Sequence, residues 1–246
     1  MGIRVFANSS GIGCGSAATL ARQDSCTWLV WVRPETAGGP NGRIFEYANL
    51  SGPTVVGCAL YHDGTQGTVN LPRITFNRQH VTTVLLRTTS IGIPLNVWTP
   101  IAITYNGNSA ATGTVIYIGG TAVASYQVSQ AGAGAKRNAT GNLYVGNNSV
   151  GARDWQGSIG QLVVVAEILS AHLIARWAQS KRPFISGEYL RQGSNLIVSY
   201  EFQNEFPDGT SVAGSGSIID RSNNNNHGSP FTVAPTGVAE SSVSYQ

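Results

Sequence analysis

Lysine is almost missing from this chain: Lys136 and Lys181 are the only two in 246 residues. Charged residues of all kinds make up 11%, too few to coat long solvated helices. The net charge of +3 therefore comes from arginine, and Arg43, Arg73, Arg78, Arg87, Arg137 and Arg153 stand singly along the chain. No basic block exists to track a nucleic-acid backbone. Cysteine is scarce and odd in number, Cys14, Cys26 and Cys58. That excludes the even framework of a small disulfide-stapled domain and predicts buried free thiols. No apolar run reaches the about 20 residues of a membrane-spanning helix. Met1-Gly2-Ile3-Arg4-Val5-Phe6 also lacks the basic-then-apolar pattern of an export signal. The sequence predicts a protein made in the cytoplasm with no membrane insertion.

What is abundant is turn and strand material: 30 glycines, with much Ser, Thr and Asn. The length suits one large β-domain. A chain of this size buries roughly three quarters of its unfolded surface, so it needs no metal or disulfide. Strand signals recur at short intervals with turn residues between them, as in a sandwich. Thr27 to Arg33 is apolar on both faces and stops at Pro34, which places it in the middle of a layered core. Arg43–Tyr47, Thr54–Tyr61, Arg73–Phe76 and Val81–Arg87 follow. Trp98 to Tyr105 alternates, with Ile101, Ile103 and Tyr105 on one face, and Asn106-Gly107 breaks it. Thr114–Ile118 turns at Gly119-Gly120 into Thr121–Tyr126, as a hairpin would. Asn142–Gly146 and Ser158–Val165 continue a meander of antiparallel strands.

One helix interrupts the series. Ser170 is its predicted N-cap, Leu173, Ile174 and Trp177 form its apolar face against the edge of the sandwich, and it ends near Ser180. Leu196 to Phe202 then reads as a late strand with Leu196, Val198, Tyr200 and Phe202 inward. A strand this apolar does not stand alone in a tail. The chain is therefore read as one domain, 1–246, with 182–246 an extension packed on it.

From Trp98 to Trp177 the chain resembles the laminin-G-like/concanavalin-A-like superfamily. The features come in that family's order: Trp98 to Tyr105-Asn106-Gly107, Val115-Tyr117-Ile118-Gly119-Gly120, Leu143-Tyr144-Val145-Gly146, Trp155-Gln156-Gly157-Ser158-Ile159, and Leu169-Ser170. Trp28 to Pro34 is similar to a further strand of the family. The resemblance implies an all-β, antiparallel jelly-roll sandwich with one short helix. The stretch from Arg182-Pro183 through Leu196–Phe202 to Asp220-Arg221-Ser222-Asn223 and His227-Gly228 resembles the tail of laminin-G-like proteins of bacteriophages and bacteria. Asn223 stands where that group usually has Gly.

Several chemistries are set aside. Glycosidases of this fold place carboxylates at i, i+2 and i+4 of one strand. The nearest approach is Glu201-Phe202-Gln203-Asn204-Glu205, with Gln203 at the middle position. Gln79 and His80 are adjacent, so on a strand they point to opposite faces and form no lyase pair. His62, His80, His172 and His227 are too scattered, with the cysteines, for a zinc set. Asp220, Ser222, Asn224 and Asn226 alternate like the start of a calcium loop, and structural calcium is the one ion weighed there. The favoured reading of that segment is an Asx-rich turn. No cofactor is expected.

Two segments offer polar and aromatic groups to a sugar: Tyr61, His62 and Asp63, and Arg153 and Asp154 beside Trp155. The leading functional expectation is a non-catalytic virion structural protein, a capsid decoration or tail-associated component on the particle surface. Its expected partners are viral capsid or tail proteins, in many copies or as a homo-oligomer, with surface glycans within reach. The alternative is a glycan-binding, lectin-like module, and the third is a glycan-cleaving enzyme.

Overall fold

A computed structural model describes residues 2–5, 10–15, 18–36, 41–49, 56–63, 71–180, 195–202, 218–232 and 236–238. In chain order its strands are β1 (Gly2–Val5), β2 (Ser10–Cys14), β3 (Cys26–Pro34), β4 (Arg43–Asn49), β5 (Val56–Asp63), β6 (Arg73–Arg78), β7 (Leu85–Gly92), β8 (Thr99–Tyr105), β9 (Thr114–Ile118), β10 (Thr121–Ala122), β11 (Tyr126–Gln130), β12 (Leu143–Val145), β13 (Gly157–Val165), β14 (Leu196–Tyr200), β15 (Gly228–Thr232) and β16 (Thr236–Val238). One α-helix, α1 (Ala171–Gln179), follows β13.

The strands form two antiparallel sheets. The first runs β10-β9-β8-β3-β13-β1-β16, with β14 also on β13; the second runs β11-β7-β6-β5-β4-β12-β2-β15. In the first, β1 takes the start of β13 and β14 takes its end. The doubly apolar β3 lies between β8 and β13, where both its faces are covered. Trp28, Val30 and Val32 enter the core between the sheets. Leu29 and Trp31 face the other way, towards α1.

The helix is where its residues predict, with Ser170 Oγ accepting from the Leu173 amide at 3.3 Å. It packs on the face of the first sheet rather than at its edge. Ile174 and Trp177 meet Leu29, Ala102, Tyr117, Val163 and Val165, a stripe that β3, β8, β9 and β13 present together. Gly120 permits the close approach, because a Cβ there would lie 2.8 Å from the Ala178 Cβ.

Three strand expectations are corrected. The strand expected from Val81 begins at Leu85 and runs to Gly92; Val81 lies in a bend and is exposed. The hairpin at Gly119-Gly120 is only two residues deep on the β10 side, and Tyr126 opens β11 in the opposite sheet. Leu196 packs with the helix layer while Ile197, Val198, Tyr200 and Phe202 join the main core, because the register shifts at Val164/Val165. The lower bound of the Thr54–Tyr61 expectation, the Gln203–Glu205 part of the carboxylate segment and the link at 182–187 lie outside the described residues. All three cysteines are free and buried, as predicted.

The C-terminal strands are integral to both sheets. β14 and β16 join the first, and β15 pairs with β2 in the second.

Candidate functional site

The second sheet has one face in the main core and one turned away from it, where Glu46, Thr75, Asn77 and Thr88 are nonetheless buried. Leu60 and Cys58 of β5 enter the core, so alternation turns Tyr61 and Ala59 outward. On β12, Leu143 and Val145 are inward and Tyr144 is outward, opposite Glu46 of β4. On β6, Phe76 is inward and Asn77 outward, its Oδ1 accepting from the Ala59 amide at 2.9 Å. Thr75 and Thr88 continue this polar face with hydroxyls 2.9 Å apart.

β4 is irregular where it matters. Arg43 and Glu46 are three residues apart, which puts them on opposite faces of a regular strand. The register shifts between Arg43 and Phe45, Ile44 and Phe45 both enter the core, and Arg43 and Glu46 come to one face. Arg43 Nε then donates to Glu46 Oε2 at 3.0 Å, and the guanidinium lies over the Tyr61 ring, 4.4 Å from its centroid. The Ser149 amide reaches Glu46 Oε1 at 3.5 Å. Burial raises the Glu46 carboxyl above its ordinary range, opposed by the Arg43 hydrogen bond and charge. Burial also raises the Tyr61 phenol, opposed by the Arg43 charge. Tyr61 is thus held as a neutral ring clamped beneath a cation.

The loop from Asn147 to Gln156 borders this face. Asn147 Oδ1 accepts from the amides of Asn148 and Arg153, each at 2.8 Å, and its Nδ2 donates to the Ser10 carbonyl at 2.9 Å. Asn148 Oδ1 accepts from the Ala152 amide at 2.8 Å. These bonds close the loop on itself. The Arg43 amide then donates to the Arg153 carbonyl at 2.8 Å, which fixes Arg153 beside Tyr61's neighbour.

The two segments singled out in the sequence therefore converge, joined through Gly42 and Arg43. Tyr61, Asp63 and Arg153 are half-buried at the surface. His62 is not: it points inward, 1% exposed, edge-on to Trp155 with ring centroids 5.6 Å apart. Alternation turns it away from Tyr61, so the expectation that it meets a ligand is corrected. Burial holds its imidazole down at about 4, hence neutral. Asp154 is also buried, at 8%, and belongs to the loop's support. Gly42 is required between them, because a Cβ there would come within 2.5 Å of both His62 Nε2 and the Asp154 carbonyl. Sequence reasoning missed Arg43, Glu46, Tyr144 and Asn147, and the Arg43/Glu46 pair is hidden by the bulge.

The Asp220 segment is an internal plug rather than an open calcium loop. Asp220 Oδ1 accepts from the Ser199 and Ser222 amides, each at 3.0 Å. Its Oδ2 accepts from Ser222 Oγ at 2.8 Å and the Asn226 amide at 3.0 Å. Asn224 Nδ2 donates to the Leu196 and Ile197 carbonyls. Among the described residues no group of three His, Cys, Asp or Glu side chains is arranged to hold a metal. Glu201 is paired with Arg221 at 3.6 Å, and the Nδ1 of buried His80 lies 3.1 Å from the Gly134 carbonyl. No helix among the described residues is long and apolar enough to cross a membrane.

The family model of the concanavalin A-like lectin/glucanases superfamily matches residues 6–175. The chain belongs to this superfamily. The match ends within α1, and β14, β15 and β16 lie beyond it. A solved structure described as a proposed carbohydrate binding protein from Bacteroides ovatus is 16% identical, covers 97% of this chain and 61% of that chain, and has a TM-score of 0.56. The heptameric SAP-like pentraxin from Limulus polyphemus is 16% identical over 74% of this chain and 83% of that chain, with a TM-score of 0.50. At these identities the likeness is one of fold. A comparison with curated proteins finds no match.

Proposed function

We propose that this protein is a glycan-binding, lectin-like module that holds its ligand without cleaving it. The carrying observation is the Tyr61 ring clamped under Arg43 beside the closed Asn147–Gln156 loop. Tyr61, Asp63, Arg153 and, two strands away, Tyr144 are the ligand contacts. Arg43, packed over one face of the Tyr61 ring and bonded to Glu46, positions them. An aromatic ring with polar groups fixed at its margin suits the apolar face and the hydroxyls of a pyranose. Because Arg43 is offset by Glu46, the favoured ligands are neutral oligosaccharides. The carbohydrate-binding description of the Bacteroides ovatus protein supports this reading over the others.

The finer expectation is display of many copies on a virion surface. It rests on the C-terminal resemblance, and neither structural match bears on it. Multiple copies would convert weak single-site sugar contacts into useful avidity, and the pentraxin of similar fold is a heptamer. The mass and copy number of the native particle test it: a free monomer would sink it, leaving the lectin reading intact.

The test of the lectin reading is a glycan array with the full chain, followed by calorimetry on its best neutral oligosaccharide. Tyr61→Ala and Tyr144→Ala should each weaken binding about tenfold, while Tyr61→Phe keeps most of it. An array with no neutral ligand, or variants that bind as the parent does, would overturn it.

A further inference from the structure

At the far end of the strands from Tyr61, a second cationic centre is built into the sandwich. Arg78 closes β6 pointing into the core, 1% exposed, with its guanidinium 5.7 Å from the Tyr105 ring centroid. Its Nη1 donates to Gln23 Oε1 at 3.4 Å, an oxygen that also accepts from the Cys58 thiol at 3.3 Å. Gln23 is itself fixed by its Nε2, which donates to the Leu20 carbonyl at 2.7 Å. Nη2 donates to Oδ1 of Asn138. Nε has no partner.

Among the described residues no carboxylate pairs with Arg78. Asp24, which lies near enough to feel its charge, is already bound to Lys136 at 2.5 Å. Asp24 is thus shared between two cations, Arg78 and Lys136. Arg137 follows directly, donating to the Val81 carbonyl at 3.4 Å.

A buried ion balanced only by neutral amide oxygens has lost its hydration without gaining a counter-charge. A guanidinium recovers most from an oxyanion, whose charge-assisted hydrogen bonds are shorter and roughly twice as strong as those to an amide. The oxygen now on Nη2 belongs to Asn138, an exposed residue, so it is displaceable. Lys136, bonded to the same Asp24 that feels the Arg78 charge, carries a long side chain and can turn from Asp24 to a shared anion.

We propose that Arg78 and Lys136, capped by Asn138, form a binding site for a small oxyanion group, a phosphate, sulfate or carboxylate, free or borne on a sugar. The anion replaces the Asn138 carbonyl oxygen on Nη2 and takes a second contact from Lys136 Nζ. The site is independent of the Tyr61 face and stands or falls without it.

The test uses the full chain, with inorganic phosphate, D-glucuronate and, as neutral control, D-glucose, at ionic strength held constant with sodium chloride. Thermal midpoint and calorimetric titration are the readouts. Phosphate at about 100-fold its dissociation constant should raise the midpoint by about 5 °C or more, and glucose should not. Asn138→Ala removes the competing oxygen and should tighten binding. Lys136→Gln should weaken it about tenfold, and Arg78→Met should abolish it. If Arg78→Met does not fold, the opposite effects of Asn138→Ala and Lys136→Gln decide the matter. Glucuronate binding more tightly than phosphate assigns the anion to a sugar, and the reverse assigns it to the free ion. No saturable response to either anion, in both the parent and Asn138→Ala, overturns the proposal.

Discussion

Trp28 of β3 lies flat on Phe45 of β4, ring centroids 4.0 Å apart and planes 11° from parallel. The pair joins the two sheets at the centre of the core, and both residues are fully buried. Trp28→Ala should destabilise the protein by about 4 kcal/mol, the usual cost of removing a large aromatic from a close-packed interior. Trp28→Phe should cost distinctly less. Urea unfolding midpoints at unchanged slope check this; an alanine variant as stable as the parent would show that this contact does not hold the layers together.

His62 makes stability depend on pH. Its pKa is about 4 in the fold against an ordinary 6.5 because burial disfavours the imidazolium. Between those values the unfolded chain binds a proton that the folded chain does not, so the contribution is whole above about 6.5 and lost as pH falls towards 4. The loss amounts to about 3 kcal/mol. His62→Phe should flatten this part of the profile in urea titrations at pH 7.5 and 4.5. An equal pH dependence in parent and variant would contradict the buried neutral imidazole.

Asp220 gathers four donors from two segments, and through them ties the 220–226 loop to β14. Asp220→Ala leaves the amides of Ser199, Ser222 and Asn226 buried and unsatisfied, at about 1–3 kcal/mol each before relaxation. The variant should lose several kcal/mol. Added calcium should leave the parent's thermal midpoint unchanged, and a calcium-dependent rise would restore the metal-loop reading.

The thiols should be silent in the native state. Burial pushes Cys14 and Cys26 up to about 12 and raises Cys58 as well, which removes the reactive thiolate at neutral pH. A disulfide reagent at pH 8 should label none before unfolding and all three in denaturant. Rapid native labelling would mean the core opens at low cost.

How much could be read in advance varies with what each signal depends on. The β3 run, the alternation of β8 and the Ser170 cap are local patterns, and local physics suffices for them. Tyr61, at the end of an expected strand, and Arg153, beside Trp155, stood out as aromatic and polar points. Their meeting did not, because it passes through Arg43, whose partner Glu46 sits at an odd spacing that only the bulge makes cofacial. His62 misled for the complementary reason: a histidine between two polar neighbours looks exposed, yet strand alternation sends it inward onto Trp155. Arg78 gave no signal at all, since nothing local distinguishes a buried arginine from a solvated one.

The sequence by itself determined the class of fold, the helix and its cap, the burial of the thiols and the Asx-rich character of the 220–226 turn. Each follows from composition or from a period of two or 3.6 residues. Tertiary structure alone decided that β10 and β11 part into different sheets, that the C-terminal strands pair into both layers, and that Arg43 clamps Tyr61 while Arg78 meets no carboxylate among the described residues. Those outcomes depend on which distant strands become neighbours and where one extra residue breaks the pleat, and neither quantity is carried by any short stretch of chain.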